Sequence, residues 1–396
     1  MPAKTWKLIG FGLPNQFRSG QKQLNLSPRD LGGAGPEWHV IGHALDDGLR
    51  AGVDLVEINN GAMTFEAIPT RGMGIRRAWL KDDREISSIG WQSPVRGPVH
   101  PGFVDLGEPS GLGWLDGFDE LLVRCGLESN GAPDFDDTTQ RLKYPLHGRI
   151  ANKPAHELQL TVDTDQQEIS LRGVVEETRF HFLKLRMTST ITTKFGSKSF
   201  TVRDEVENFS ASPTAMQMLY HVNFGLPLLD GGSRVVAPVQ TIVPRNPRAA
   251  GGIKSWDSYS APEPGFEEQV YFFELHAGEG GQTRTLLKNA HATRGVSLVF
   301  NKQQLPYFTL WKNTTGAPDG YVTGLEPGTN FPNPRSFETT KNRVVKLAPG
   351  QKQTFDVTLE IHGSAQEVAA AEAAVAKIQA GRPPQIFDQP QADWCA

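Results

Sequence analysis

Three side chains in this sequence are of a type that moves protons and stand in surroundings unlike those of an ordinary surface residue. His221, in "MQMLYHVNFGLPLLDGG", directly follows an apolar run and precedes Asn223, Phe224 and Gly225, which puts an imidazole where a buried strand opens to a rim. Glu326, in "VTGLEPGTNFPNP", sits between Leu325 and Pro327 after an apolar lead-in, and an unpaired buried carboxylate is costly unless it has a partner or a task. His147, in "YPLHGRIANKPA", stands between leucine and glycine at the end of a turn. Imidazole and carboxylate are the common means of proton transfer near neutral pH. Each also has a plainer reading, since a lone histidine is most often structural or solvated and a loop glutamate can simply face water. The same three groups are the two-histidine, one-carboxylate donor set of some metal enzymes. They lie far apart in the chain, with none of the close ligand repeats of a metal site, so neither a metal nor another cofactor is expected.

These groups need a scaffold, and the hydrophobic period says which kind. Along "HFLKLRMTSTITTKF", Leu183, Leu185, Met187 and Ile191 alternate with polar residues, Ser189 being the one polar exception, which is a half-buried strand. After "GSKS" the alternation resumes with Phe200, Val202 and Val206, the return arm of a hairpin. "TFDVTLEIHG" repeats the pattern with Phe355, Val357, Leu359 and Ile361. With 41 glycines and 28 prolines breaking the chain into short runs, an all-β antiparallel sandwich is favoured over βαβ units. Asn223, two residues after His221, points to the same side of its strand.

One helix is clear. "SAQEVAAAEAAVAKIQAGR" opens with Ser364 three residues before Glu367, a capping-box spacing, and closes at Gly381, suited to a left-handed position. The organisation expected is a flanking arm over 1–45, a β-sandwich domain over 46–363, and a C-terminal helix with an extended tail over 364–396.

Composition narrows the partners. A net charge of -4 gives no reason to expect nucleic acid or an anionic membrane, and a small neutral ligand fits at least as well. Cys125 and Cys395 are too far apart to suggest a disulfide framework. "MPAKTWKLIGFGL" lacks a signal-peptide pattern, and no run approaches the roughly 18 apolar residues of a spanning helix. A cytoplasmic protein is expected.

Several stretches together resemble the aldose 1-epimerase (galactose mutarotase-like) superfamily. "FTVRDEVENFSASPTAMQMLYHVNFGLP" is similar to that family's histidine segment, "GLEPGTNFPN" to its glutamate motif and "LHGRIANKPA" to its earlier His-Gly motif, in the family's order. "PTRGMGI" and "GFDELLVRCGL" point to a less-characterised branch, and the resemblance spans residues 50 to 362. It implies a galactose mutarotase-like β-supersandwich with an open sugar-binding groove. It also implies that Glu326 takes the proton of the anomeric hydroxyl, that His221 protonates the ring oxygen, and that His147 binds the sugar beside the opening bond. Imidazole, titrating at about 6.5, suits the acid role.

Around them, Arg71, Arg149, Asn223 and Trp311 are candidate substrate contacts, with Trp114 a further stacking candidate. Structural ion pairs for the arginines and core packing for the tryptophans are the plainer readings. The "PTRGMGI" strand differs from the asparagine-rich opening of the galactose enzymes, so the resemblance names no particular sugar. The function expected is a carbohydrate epimerase. Its alternatives are a non-catalytic sugar-binding protein, or a lyase or hydrolase on a larger saccharide, for which Tyr144 or Tyr220 beside the motifs would matter.

Overall fold

The alternation along residues 183–191 becomes the strand Lys184–Lys194, whose odd residues are buried and even residues half-buried until its end. It pairs antiparallel with Ser199–Asn208, Ile191 opposite Val202 and Met187 opposite Val206. Ser199–Asn208 pairs in turn with Lys352–His362, Val202 opposite Val357. The polar exception has a reason: Ser189 is buried because its hydroxyl accepts a 2.8 Å hydrogen bond from Arg124.

The computed structural model describes residues 3–10, 24–33, 36–81, 88–91 and 93–396. Among these, the strands form one sheet of nine and one of thirteen, with a small two-stranded ribbon at Asp134–Phe135 and Leu142–Tyr144. The nine-stranded sheet runs from Lys4–Ile9 at one edge, through the strands just named, to Arg234–Val236 at the other. At the centre of the larger sheet, Thr214–Gly225 lies between Leu122–Leu127 and Val322–Gly328, with Tyr307–Asn313 and Gln269–Leu275 following outward. The two sheets pack face to face as a β-sandwich, and the main core cluster is drawn from both. Phe65 of the larger sheet meets Phe200 of the smaller with ring centroids 4.9 Å apart.

A polar staple crosses that core. Arg124 donates to both carboxylate oxygens of Asp204, at 2.5 and 3.1 Å, and Tyr220 donates to Asp204 at 2.7 Å. All three side chains are buried, so each depends on the others to replace lost water.

Residues 1–2, 11–23 and 34–35 of the expected N-terminal arm lie outside the described residues. Its described strands are integrated: Lys4–Ile9 pairs with Glu157–Asp163, while Leu24–Leu26 and His39–Ala44 extend the larger sheet. The C-terminal helix, Ala365–Gln379, is capped by Ser364, which accepts from the Glu367 amide at 3.3 Å. Its left-handed exit begins at Ala380, one residue before Gly381. Val368, Ala371 and Val375 pack on Leu286. Two shorter helices, Pro247–Ala250 and Arg335–Thr340, also occur. The tail lies on the surface: Gln385–Ile386 adds a parallel strand to Val239–Pro244, and Trp394 stacks on Phe331 at 4.8 Å. No helix among the described residues is long and apolar enough to cross a membrane.

Candidate active site

Thr214–Gly225 alternates like its neighbours, but both of its faces are covered. Tyr220, Val222 and Phe224 enter the core between the sheets. On the opposite side, Leu219 joins a second cluster with Trp91, Trp114, Phe118, Val123 and Cys125, beneath loops laid over the outer face of the larger sheet. His221 and Asn223 share that outer side. Register then supplies the partner: with Val222 opposite Leu325 and Leu219 opposite Gly328, His221 falls opposite Glu326.

His221 Nε2 lies 3.1 Å from Glu326 Oε1, and both side chains are almost fully buried. The approach is out of line for a hydrogen bond, and Oε1 has no other partner among the described residues. At the other ring nitrogen, Nδ1, Asn223 Oδ1 stands 2.6 Å away. The Asn223 amide nitrogen donates to the carbonyls of Glu120 and His221, at 3.0 and 3.3 Å, which fixes the amide orientation. Nδ1 must therefore carry a proton, and Nε2, facing Glu326, is the nitrogen left for exchange.

Gly324 keeps the space for this pair. A Cβ there would stand 2.5 Å from Glu326 Oε1 and 3.0 Å from His221 Cε1.

His147 arrives from a loop. It and Gly148 take left-handed backbone angles in succession, and a Cβ on Gly148 would lie 2.0 Å from the Ser129 carbonyl, so the His-Gly order is a steric requirement. His147 Nδ1 donates to the Asn130 carbonyl at 3.0 Å, and its ring centroid is 5.2 Å from that of His221. Asn130 in turn exchanges two amide hydrogen bonds with Asn330, at 2.9 and 2.8 Å, tying the His147 loop to the segment after Glu326.

The three groups open into one cavity of about 310 Å³, within the range of small-molecule sites. Its walls include Trp114, Phe118 and Trp311, with Arg245 and Glu268 toward the mouth. Phe118 and Trp311 stand edge-on to His221, with centroids 5.3 and 5.4 Å away. Glu268 accepts from Arg245 at 2.6 Å and from the Trp311 indole at 2.7 Å, which holds that ring upright.

Burial governs the electrostatics. It pushes the Glu326 carboxyl well above the usual carboxylate range, reinforced by the Glu268 charge and opposed by Arg245. It pushes His221 well below its ordinary value, helped by His147 and opposed by the Asn223 hydrogen bond. His147 is brought down to about 4, again mainly by burial. Both shifts act in the same sense, favouring a carboxylic acid beside a neutral imidazole over an ion pair. Among the described residues, no group of three or more His, Cys, Asp or Glu side chains is arranged to hold a metal ion.

The structure brings His147, His221, Glu326, Trp311 and Trp114 to the cavity and places Arg71, Arg149 and Asn223 outside its lining. Asn223 sits directly behind His221. Arg71 is fully buried and spends its donors on Glu120, Asn152 and the Val99 and Gly117 carbonyls, at 2.5, 2.8, 3.0 and 2.8 Å. It thereby anchors the loop that carries Trp114 and Phe118. Arg149 reaches Glu128 at 3.4 Å. Tyr220 faces the core. Arg245, Glu268 and Phe118 were not singled out from sequence. The available signal was the pairing of Val270 with Trp311, which puts Glu268 beside Trp311 once the strands are known to be neighbours.

Comparison with known proteins agrees with this architecture. Residues 50–361 match the family described as a domain of unknown function, DUF4432. A crystal structure of a candidate aldose 1-epimerase from Klebsiella pneumoniae is 35% identical and superposes with a TM-score of 0.92, covering 98% of this chain and 99% of that one. A galactose mutarotase-like protein from Clostridium acetobutylicum, at 16% identity and TM-score 0.56 over 82% of this chain and 98% of that one, shares the fold. So does the galactose 1-epimerase of Lactobacillus acidophilus, at 12% identity and TM-score 0.53 over 82% and 99%. No curated protein matches the sequence.

Proposed function

The chain belongs to the DUF4432 family, a branch of the aldose 1-epimerase (galactose mutarotase-like) superfamily, and on that footing we propose that it is a carbohydrate epimerase acting at the anomeric carbon. The observation that carries this reading is the 3.1 Å separation of His221 Nε2 and Glu326 Oε1 at the base of an aromatic-walled pocket. Ring opening requires one group to take the proton of the anomeric hydroxyl while another gives a proton to the ring oxygen. Both oxygens are borne by the same carbon, so acid and base must stand close together.

Once a bound sugar aligns the pair, transfer of the carboxyl proton from Glu326 to His221 Nε2 gives a carboxylate base and an imidazolium acid without any proton from solvent. The hydroxyl of a bound sugar supplies the hydrogen bond that steadies the new carboxylate. Glu326 then accepts the anomeric proton, His221 Nε2 protonates the ring oxygen, and Asn223 steadies the imidazolium through Nδ1. The open-chain aldehyde rotates and the steps reverse to give the other anomer. His147 donates its proton to the Asn130 carbonyl, so its Nε2 is free to accept a hydrogen bond from a sugar hydroxyl. Trp114 and Trp311 offer ring faces and edges to the apolar side of the sugar.

The test is anomer exchange followed by NMR over a panel of monosaccharides. At least one sugar should exchange faster than in buffer, and Glu326→Gln and His221→Asn should each lower the rate by about 10² to 10⁴. Exchange at the buffer rate for every sugar, with binding retained, would replace the reading with that of a non-catalytic sugar-binding protein.

A further inference from the structure

Behind Phe118 lies a second cavity, of about 530 Å³, that the proposed anomeric chemistry does not use. Phe118 lines the first pocket and Asp119, the next residue, lines this one. Four guanidinium groups, Arg50, Arg76, Arg77 and Arg96, border it, against the carboxylates of Asp47 and Asp119. Arg50 is paired with Asp47. Arg76 reaches Glu66 and the Gly97 carbonyl, each at 3.3 Å, and Arg96 is exposed.

Two polar atoms at this place are buried without a hydrogen-bond partner among the described residues: Oδ2 of Asp119, a residue only 5% exposed, and Nε of Arg76. They are 3.6 Å apart and misaligned, so the contact satisfies neither. An open acceptor beside an open donor is expensive in a protein interior and calls for a ligand that completes both. Gly97 preserves the gap, because a Cβ there would fall 2.7 Å from Asp119 Oδ2. Burial also brings the Asp119 carboxyl up to about 7 despite Arg76 and Arg77, so these cations do not fully compensate its charge.

We propose that this cavity binds a small hydroxylated oxyanion, a sugar phosphate or a sugar acid, whose charged oxygens engage Arg76 and Arg96 and one of whose hydroxyls donates to Asp119. Guanidinium groups suit phosphate and carboxylate oxygens through their paired donors. The unpartnered aspartate oxygen asks for the hydroxyl, which separates the expected ligand from a bare inorganic anion. The site is independent of the epimerase reading and is tested by binding alone.

Titration calorimetry on the full-length protein at low ionic strength, with glucose 6-phosphate, gluconate, sulfate and glucose, decides the matter. One of the two hydroxylated anions should bind more tightly than sulfate. Arg96→Gln, a change at an exposed position, should weaken that binding about tenfold without altering the melting temperature. Asp119→Asn should bring the favoured anion toward sulfate. Which of the two is preferred distinguishes phosphate from carboxylate recognition. The proposal is overturned if neither binds below roughly 10 mM, if Arg96→Gln leaves their affinity unchanged, or if sulfate binds as tightly as both.

Discussion

The amide oxygen of Asn223 stands 2.6 Å from Nδ1 of His221, two residues earlier on the same strand, while its amide nitrogen is held by the Glu120 carbonyl. That bond fixes both the ring plane and the tautomer, and it favours the protonated imidazole. Replacing Asn223 by alanine removes the acceptor. We expect kcat for anomer exchange to fall by about 10-fold or more with KM little changed, since Asn223 acts on the acid and not on the sugar. Because the lost bond had raised the His221 pKa, the pH–rate profile should shift to lower pH, as NMR exchange rates from pH 5 to 9 will show.

Gly324 offers a steric probe of the same pair. Gly324→Ala adds a methyl group 2.5 Å from Glu326 Oε1 and 3.0 Å from His221 Cε1. The two side chains must separate, so exchange activity should fall by about 10²-fold or more. The melting temperature should move by only a few degrees, because the flexible carboxyl gives way before the backbone does. A fully active Gly324→Ala variant would mean that the close approach of acid and base is not needed.

Glu177 supplies a pH dependence of stability. It is buried, one carboxyl oxygen accepts from the Leu127 amide at 2.7 Å, the other has no partner among the described residues, and burial raises its pKa to about 7. The folded state holds this proton more tightly than the unfolded chain does. Its contribution to stability is therefore full below about 4.5 and declines as pH rises toward 7, by on the order of 3 kcal/mol. Glu177→Gln keeps an acceptor for Leu127 and removes the titration. The variant should gain melting temperature relative to wild type at pH 8 and not at pH 4, as differential scanning calorimetry will show.

The staple between the sheets should be costly to break and cheap to replace. Asp204→Ala leaves the Arg124 cation buried with only neutral partners, and should cost about 3–5 kcal/mol in chemical denaturation. Replacing both members, Arg124→Met with Asp204→Leu, should cost clearly less than the sum of the single changes. Additive losses would show that the two charges do not depend on one another.

Much of this protein is legible along the chain. Period-two alternation identifies Lys184–Lys194, Ser199–Asn208 and Lys352–His362 as strands with one face inward, because side chains on a pleated strand must alternate. His221 and Glu326 stand out for a related reason: ionisable groups set in apolar surroundings are expensive, and a sequence displays that expense locally.

Partnership and direction are a different matter. Asn130 and Asn330 are 200 residues apart and bond to each other only because two loops meet over one sheet. Arg71 sits beside site motifs in sequence, yet it turns inward to Glu120 and holds the pocket wall. Arg245 and Glu268 carry no local mark; they follow Val239–Pro244 and precede Gln269–Leu275, and reach the mouth of the cavity because Gln269–Leu275 pairs with both Val239–Pro244 and Tyr307–Asn313. The sequence by itself thus determined the elements, their buried faces and the kinds of chemical group on offer, since period and polarity are properties of neighbouring residues. Which groups share a cavity was decided only in the tertiary structure, because strand order and register are settled by packing across the whole sandwich, where each pairing depends on all the others.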